Sequence, residues 1–345
     1  MTVSGSPAAA DAAVMREPLA HWARGEYGPS AQVPDVWPMP GNSGLSFGFD
    51  VVVPGNPPER LVIRLSPPGV ARRGNTDVLR QVPLLRSLQA SGIPIARVTW
   101  STGDPAWFGT DAVVQQRLDA RPLHMWDAGL DHRLAAGGAA PFLVQAVDVL
   151  AAIHAAPWED TLRDWEAPRS LESELHFWDD ILGRSDQAGW VQAGRELRDV
   201  LLASRPEGTP CGVFHGDYQT NNVLYDDAGT LVAIVDWEIS GLGAQLIDLG
   251  WLTLFTDASC WDAGYVAAMR VRARPEWLRD RYEQASGRSV DSFDWFRAMA
   301  CFRFGAIAAF NVRLHRSGRR PDPRWDHIAP SVTTLFTRGR ALALS

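Results

Sequence analysis

The sequence predicts an α+β chain in which a small β-rich lobe leads and a larger, mostly helical lobe follows. Two observations carry this. Over about the first 118 residues, strand-like and helix-like runs follow the order ββαββ. Beyond them the apolar spacing turns helical and stays so, apart from one short strand hairpin. A length of 345 residues supports two such lobes, expected at 1–118 and 119–345.

The elements follow in order. Residues 14–26 read as an amphipathic helix within a leading extension (1–34), ending near Gly25 and Gly28, and a Pro/Gly-rich stretch runs on to Gly44. Leu45–Val53 and Arg60–Ser66 are rich in β-branched and aromatic residues and flank Pro-Gly-Asn-Pro-Pro, which predicts a hairpin. Apolar positions 78, 79, 82, 84, 85 and 88 predict a helix over 76–90 with Gly92 just past its end. Ile95–Trp100 and Asp111–Leu118 read as strands. Phe142–Ala155, Leu171–Leu182 and Gln192–Ala203 read as helices, and Asn222–Tyr225 with Leu231–Val235 as a hairpin about Asp226-Asp227-Ala228-Gly229. The remainder reads as helices with polar turns.

Composition narrows the function. There is no lysine: all 33 basic side chains are arginine. That excludes Schiff-base chemistry and a Walker A loop, both of which need a lysine amine. A net charge of −7 excludes general nucleic-acid binding, which needs a basic footprint. No apolar stretch approaches the roughly 20 residues of a membrane span; Ala298–Val312 is short and carries Arg303. Met1–Met15 lacks the basic start of a secretory signal. Cys211, Cys260 and Cys301 are odd in number and widely spaced, as expected of reduced thiols in a cytoplasmic protein.

The segment from Val213 to Leu249 carries the chemistry. His215-Gly216-Asp217 lies between an apolar run and a polar loop, Asn222 follows Asp217 with kinase-loop spacing, and Asp236 closes the hairpin. Phosphoryl transfer needs a carboxylate to accept the attacking hydroxyl's proton and oxygen ligands that hold Mg²⁺ on the phosphates. Asp-x-x-x-x-Asn is the spacing of a kinase catalytic loop, with Asp as base and Asn as metal ligand; Asp236 then takes the place of the second metal-binding acid. Gly216 stands where that motif has Arg, a tight backbone position beside the base. Any one of these residues alone is an ordinary turn residue; the three together point to a site.

The strings His-Gly-Asp-x-x-x-x-Asn, Val-Asp-Trp-Glu and Leu-Ile-Asp-Leu resemble the aminoglycoside phosphotransferase-like family of small-molecule kinases, which includes choline-kinase types. The resemblance spans roughly residues 40–310 and implies a protein-kinase-like bilobal fold. It implies ATP or GTP with Mg²⁺, and a small-molecule hydroxyl acceptor. Residue by residue, Asp217 resembles the base, Asn222 and Asp236 the magnesium ligands, and Asp248 a brace of the catalytic loop. Val113–Leu118 resembles the hinge, so main-chain groups near Gln116 and Leu118 are expected at the nucleobase. Gly41–Ser46, with Ser43 and Gly44, resembles the loop over the phosphates but lacks GxGxxG. Two positions depart from the pattern. Arg64 stands where kinases carry the phosphate-holding lysine, and Gln81 where its glutamate partner sits. Arg64 retains a planar fork for phosphate, and neutral Gln81 is expected to leave it outside an ion pair.

Other polar residues have plainer readings. His215 is expected to bond backbone around the loop, His154 to be a satisfied core or supporting histidine, and Glu238 either to touch the metal site or to be solvated or helix-capping. Arg270–Arg281 reads as a solvated helix face and Arg313–Arg324 as a surface loop. Of fifteen tryptophans, Trp100, Trp107, Trp237 and Trp251 fit the core. Trp126, Trp158, Trp165, Trp178, Trp190 and Trp261 fall in the helical lobe, as packing or as walls of an aromatic acceptor pocket. The function expected is a Mg²⁺-dependent kinase of a small hydroxylated molecule. Aminoglycoside or macrolide inactivation and a metabolite kinase with a sugar-amine, choline-like or acyl-type acceptor both stand. The rivals are a catalytically weak nucleotide-binding pseudokinase and a metal-dependent hydrolase; Asn222 suits the latter poorly as a bridging ligand.

Overall fold

Alternation at every second residue builds the sheet of the first unit, seen in a computed structural model that describes residues 7–39, 45–124, 127, 129–134 and 137–345. Helix α1 (Pro7–Tyr27) is followed by strands β1 (Val36–Pro38), β2 (Leu45–Val51) and β3 (Glu59–Leu65), helix α2 (Gln81–Ala90), β4 (Val98–Thr102), a short α3 (Pro105–Phe108) and β5 (Ala112–Gln116). The strands form one antiparallel sheet in the order β1-β2-β3-β5-β4. Phe47, Phe49 and Val51 of β2 and Leu61, Ile63 and Leu65 of β3 turn to one face, where Leu19 and Trp22 of α1 cover them. Each such large apolar side chain contributes about 1.5–3 kcal/mol by leaving water.

The period of two puts Arg64 on the opposite face, paired in register with Ser46 and Val113. The chain returns to this first unit, Met1–Ala120, with one later segment, Val232–Ile239. Ile234 anchors that segment by donating its N–H to the Pro94 carbonyl at 2.8 Å and bridging Ile95 in parallel.

The second unit comprises Arg121–Leu231 and Ser240–Ser345. Its elements are β6 (Arg121–Pro122), α4 (Leu130–Leu134), α5 (Ala140–Ala155), α6 (Leu171–Leu182), α7 (Ala188–Ala203), β7 (Cys211–Phe214) and β8 (Val223–Tyr225). After β9 (Leu231–Ile234) come β10 (Gly241–Ala244), α8 (Leu246–Leu254), α9 (Ala263–Ala268), α10 (Pro275–Ser286), α11 (Phe293–Arg316), α12 (Arg324–Ile328) and α13 (Ser331–Ala343). Helix α11 is the axis, packed by α13, α8, α6 and α7. A side chain at Gly250 would overlap the Phe296 carbonyl, so only glycine lets α8 lie this close to α11.

The sheet-then-helix architecture agrees with the sequence reading, and Leu171–Leu182 is a helix over the expected residues, capped by Ser170 accepting from the Ser173 N–H at 3.0 Å. Four readings need correction. Helix α2 begins at Gln81, not at residue 76, because Pro83 lacks an N–H and belongs in a first turn; a 3₁₀ turn, Gly74–Thr76, lies ahead of it. Arg313–Arg324 is not one surface loop: α11 runs to Arg316, with Arg313, His315 and Arg316 in its last turn, where cations suit the helix dipole. Arg270–Arg281 is not one helix face, since α9 ends at Ala268 and α10 starts at Pro275. Trp100 and Trp107 are half-buried rather than core, whereas Trp237 and Trp251 are buried; Trp126 lies outside the described residues.

Candidate active site

The loop after β7 is set by one carboxylate beneath it. Asp248, in the first turn of α8 and fully buried, accepts the backbone N–H of His215 at 2.6 Å and of Gly216 at 2.8 Å. Gly216 has φ 84°, a left-handed conformation that a side chain would strain. Asp248 is itself held at 3.4 Å by His154, whose other ring nitrogen meets the Tyr282 hydroxyl at 2.7 Å. His215, with no exposed surface, accepts the Asp217 N–H on Nδ1 at 3.1 Å, so a backbone donor meets its ring inside the turn.

These bonds present Asp217. Its Oδ1 accepts the Trp251 indole N–H at 2.6 Å and the Gln219 amide at 2.8 Å. Its Oδ2 accepts Asn222 Nδ2 at 2.9 Å, and that same amide nitrogen also bonds the Asp217 carbonyl at 2.9 Å. Two consequences follow. Oδ2 keeps a lone pair for a further donor, such as an incoming hydroxyl. Asn222 spends its amide hydrogens on Asp217, which leaves its carbonyl oxygen as the atom available to a hard cation. Burial of the carboxyl raises the Asp217 pKa above the usual aspartate value, and His215, the Trp251 bond, Arg303 and Gln219 act against that rise. Sequence reading placed Trp251 only in the core and gave Gln219 no role; the nearest signals were the position of Gln219 in the loop and of Trp251 one turn beyond Asp248.

In the first unit, Arg64 is ion-paired with Glu238, both largely buried. This overturns the expectation that neutral Gln81 leaves Arg64 outside an ion pair. The partner carboxylate comes from far along the chain, and the same residue's carbonyl accepts Arg80 Nη1 at 3.4 Å. Glu238 is therefore neither solvated nor a helix cap. Gln81 is buried at the start of α2. Asp236, exposed two residues before Glu238, has φ 68°, the one left-handed non-glycine among the described residues. Such backbone strain clusters at functional positions.

Gln116 ends β5 and gives its N–H to the Arg97 carbonyl at 2.9 Å; Leu118, just beyond, is half-buried. Ser43 and Gly44 lie outside the described residues. No group of three or more His, Cys, Asp or Glu among the described residues could hold a metal, and no described helix is long and apolar enough to cross a membrane.

The fold class is that of a protein-kinase-like α+β chain, with one unit that carries the sheet and the Arg64–Glu238 pair and another, mostly helical, that carries the loop-borne Asp217 carboxylate. More particularly, the chain belongs to the phosphotransferase enzyme family, which matches residues 40–298. It is 30% identical over 196 residues to the aminoglycoside 3′-phosphotransferase of Streptomyces fradiae, covering 54% of this chain and 67% of that one. It is 24% identical over 301 residues to acyl-CoA dehydrogenase family member 11 of Gallus gallus, covering 83% of this chain and 38% of that one. Against that relative and a similar one of Arabidopsis thaliana, the chain spans only about a third of their length, 38% and 34%. Among solved structures, an aminoglycoside phosphotransferase candidate of Ralstonia eutropha aligns with TM-score 0.76 at 21% identity, covering 95% of this chain and 98% of that one. Choline kinase LicA of Streptococcus pneumoniae aligns with TM-score 0.59 at 13% identity, covering 94% and 99%.

Proposed function

We propose that this chain transfers the γ-phosphoryl of ATP or GTP to a hydroxyl of a small molecule, with Asp217 as the base. The observation that carries the reading is the Asp217 carboxylate: three side-chain donors fix it, and Oδ2 retains capacity for one more. The acceptor hydroxyl hands its proton to that oxygen as its own oxygen bonds the γ-phosphorus, and the bond from phosphorus to the departing nucleoside diphosphate breaks. A carboxylate with a raised pKa is the stronger base for this step.

Asn222 and Asp236 are the proposed magnesium ligands, and the donor set fits: an amide oxygen and a carboxylate are hard oxygens, and Mg²⁺ takes one or two protein ligands besides phosphates. When bound, the cation neutralises charge on the phosphates. Arg64 is the proposed phosphate-holding cation, its guanidinium oriented by Glu238. Main chain near Gln116 and Leu118, with Ser43 and Gly44, is proposed to meet the nucleotide, and His215, Asp248 and Gln81 to support the site. A nucleotide partner is supported by an aminoglycoside phosphotransferase of similar fold solved with ADP and hygromycin B, TM-score 0.57 and 16% identity.

The acceptor is either an antibiotic of aminoglycoside or macrolide type or a metabolite hydroxyl of sugar-amine, choline or acyl type. The test is ADP or GDP release in Mg²⁺ over a panel of these classes. Release stimulated by one class identifies the acceptor. Nucleotide binding by thermal shift without stimulation by any class would leave the pseudokinase reading in place of this one.

A further inference from the structure

Arg303 is buried on α11, 2% exposed, against aromatic rings. Its guanidinium carbon lies 4.6 Å from the ring centre of Trp178 and 4.2 Å from that of Trp251. The cation therefore lies over the faces of two indole rings. Its Nε is buried without a hydrogen-bond partner, and no carboxylate among the described residues pairs with the group. The acids whose charge it feels are Glu174, Asp217 and Asp248. Each is already engaged: Glu174 by Arg169 Nη1 at 2.9 Å and the Trp178 indole at 3.2 Å, Asp248 by the loop amides, Asp217 by its three donors.

A buried, unpaired cation is costly, and an apolar residue of similar length would fill the same slot. What the guanidinium does hold is a ring. Trp251 makes the shortest hydrogen bond to Asp217, and an indole with one polar atom can turn about its side-chain torsions unless its faces are clamped. A cation stacked on the π-face clamps one face and draws electron density from the ring, which strengthens the N–H as a donor. Gly250, beside Trp251, keeps α8 close enough to α11 for the stack to form.

We infer that Arg303 is a positioning residue that acts on Asp217 through Trp251: the stacked guanidinium fixes the indole plane so that its N–H holds Oδ1 and turns Oδ2 toward Asn222. The role in turnover rests on Asp217 being the base; the geometry does not. The experiment reads the geometry alone, in ¹⁵N-labelled full-length protein without nucleotide or acceptor. The Trp251 indole N–H signal is assigned by its loss in Trp251→Phe, and Asp217→Asn gives its position once the charged acceptor is gone. Arg303→Met is expected to move that signal in the direction of Asp217→Asn and to speed its exchange with D₂O about tenfold, while the melting temperature does not fall. Should Arg303→Met fail to fold, Arg303→Lys, which keeps the charge and loses the plane, is expected to displace the signal likewise. A folded variant at position 303 whose Trp251 signal and exchange rate match the wild type overturns the inference. It would leave the kinase reading untouched, since that reading is decided by ADP release.

Discussion

Arg297 and Arg303 lie within two turns of each other on α11, both buried, and the protein surrounds them in opposite ways. Arg297 meets Asp257 at 2.7 Å and Asp294 at 2.6 Å, with Phe293 beneath it at 5.6 Å. Arg303 meets two indole faces and no carboxylate among the described residues. Burial is similar at both positions, so burial alone does not explain the difference. The paired arginine stabilises the fold around α11. The unpaired one touches the tryptophan that bonds the candidate base.

Removing a partner from the paired arginine is the largest expected effect. Asp257→Ala should lower stability by about 3–5 kcal/mol in urea unfolding, because Arg297 stays buried with its charge only half met. Next comes the ion pair of the first unit. Arg64→Ala should weaken nucleotide binding by isothermal titration about 10- to 100-fold, the worth of a charge-assisted hydrogen bond. Glu238→Gln should weaken it less, since the guanidinium remains. An Arg64→Ala protein that binds nucleotide normally would show that β3 does not present the phosphate cation.

The pH dependence of the paired site has a definite sign. Burial alone would raise the Asp257 pKa, but bonds from Ser259 and Arg297 outweigh it and hold the group below the usual carboxylate range. A depressed pKa means that this stability is fully present above the unfolded value, about 3.9, and is lost as pH falls through the lower folded value. The urea-stability gap between wild type and Asp257→Asn should therefore narrow below about pH 4. The smallest effect is on Arg303: Arg303→Met should leave stability unchanged or raise it, because a well-packed apolar side chain carries no buried charge to desolvate. A loss as large as that of Asp257→Ala would erase the distinction between the two arginines.

Local signals were legible in the sequence and long-range partners were not. Ser170 and the apolar stripe over Leu171–Leu182 announce a helix because cap and period are both local. The contact of Asn222 with Asp217, at 2.9 Å, is legible because their spacing lies within one loop. The pair β7–β10 was missed: Gly241–Ala244 has little strand propensity and is a strand only because Cys211–Phe214 lies beside it. The pairing of Glu238 with Arg64 was not legible because the two lie 174 residues apart. Arg303 read only as a charge interrupting an apolar run, since stacking between Trp178 and Trp251 comes from three separate helices.

The central claim is that Asp217 accepts the proton of an attacking hydroxyl. It is tested most directly by comparing wild type with Asp217→Asn in single-turnover phosphoryl transfer to whichever acceptor best stimulates ADP or GDP release. The account predicts a rate about 10²- to 10⁴-fold lower with nucleotide binding retained. An Asp217→Asn protein that transfers phosphate at the wild-type rate would contradict it.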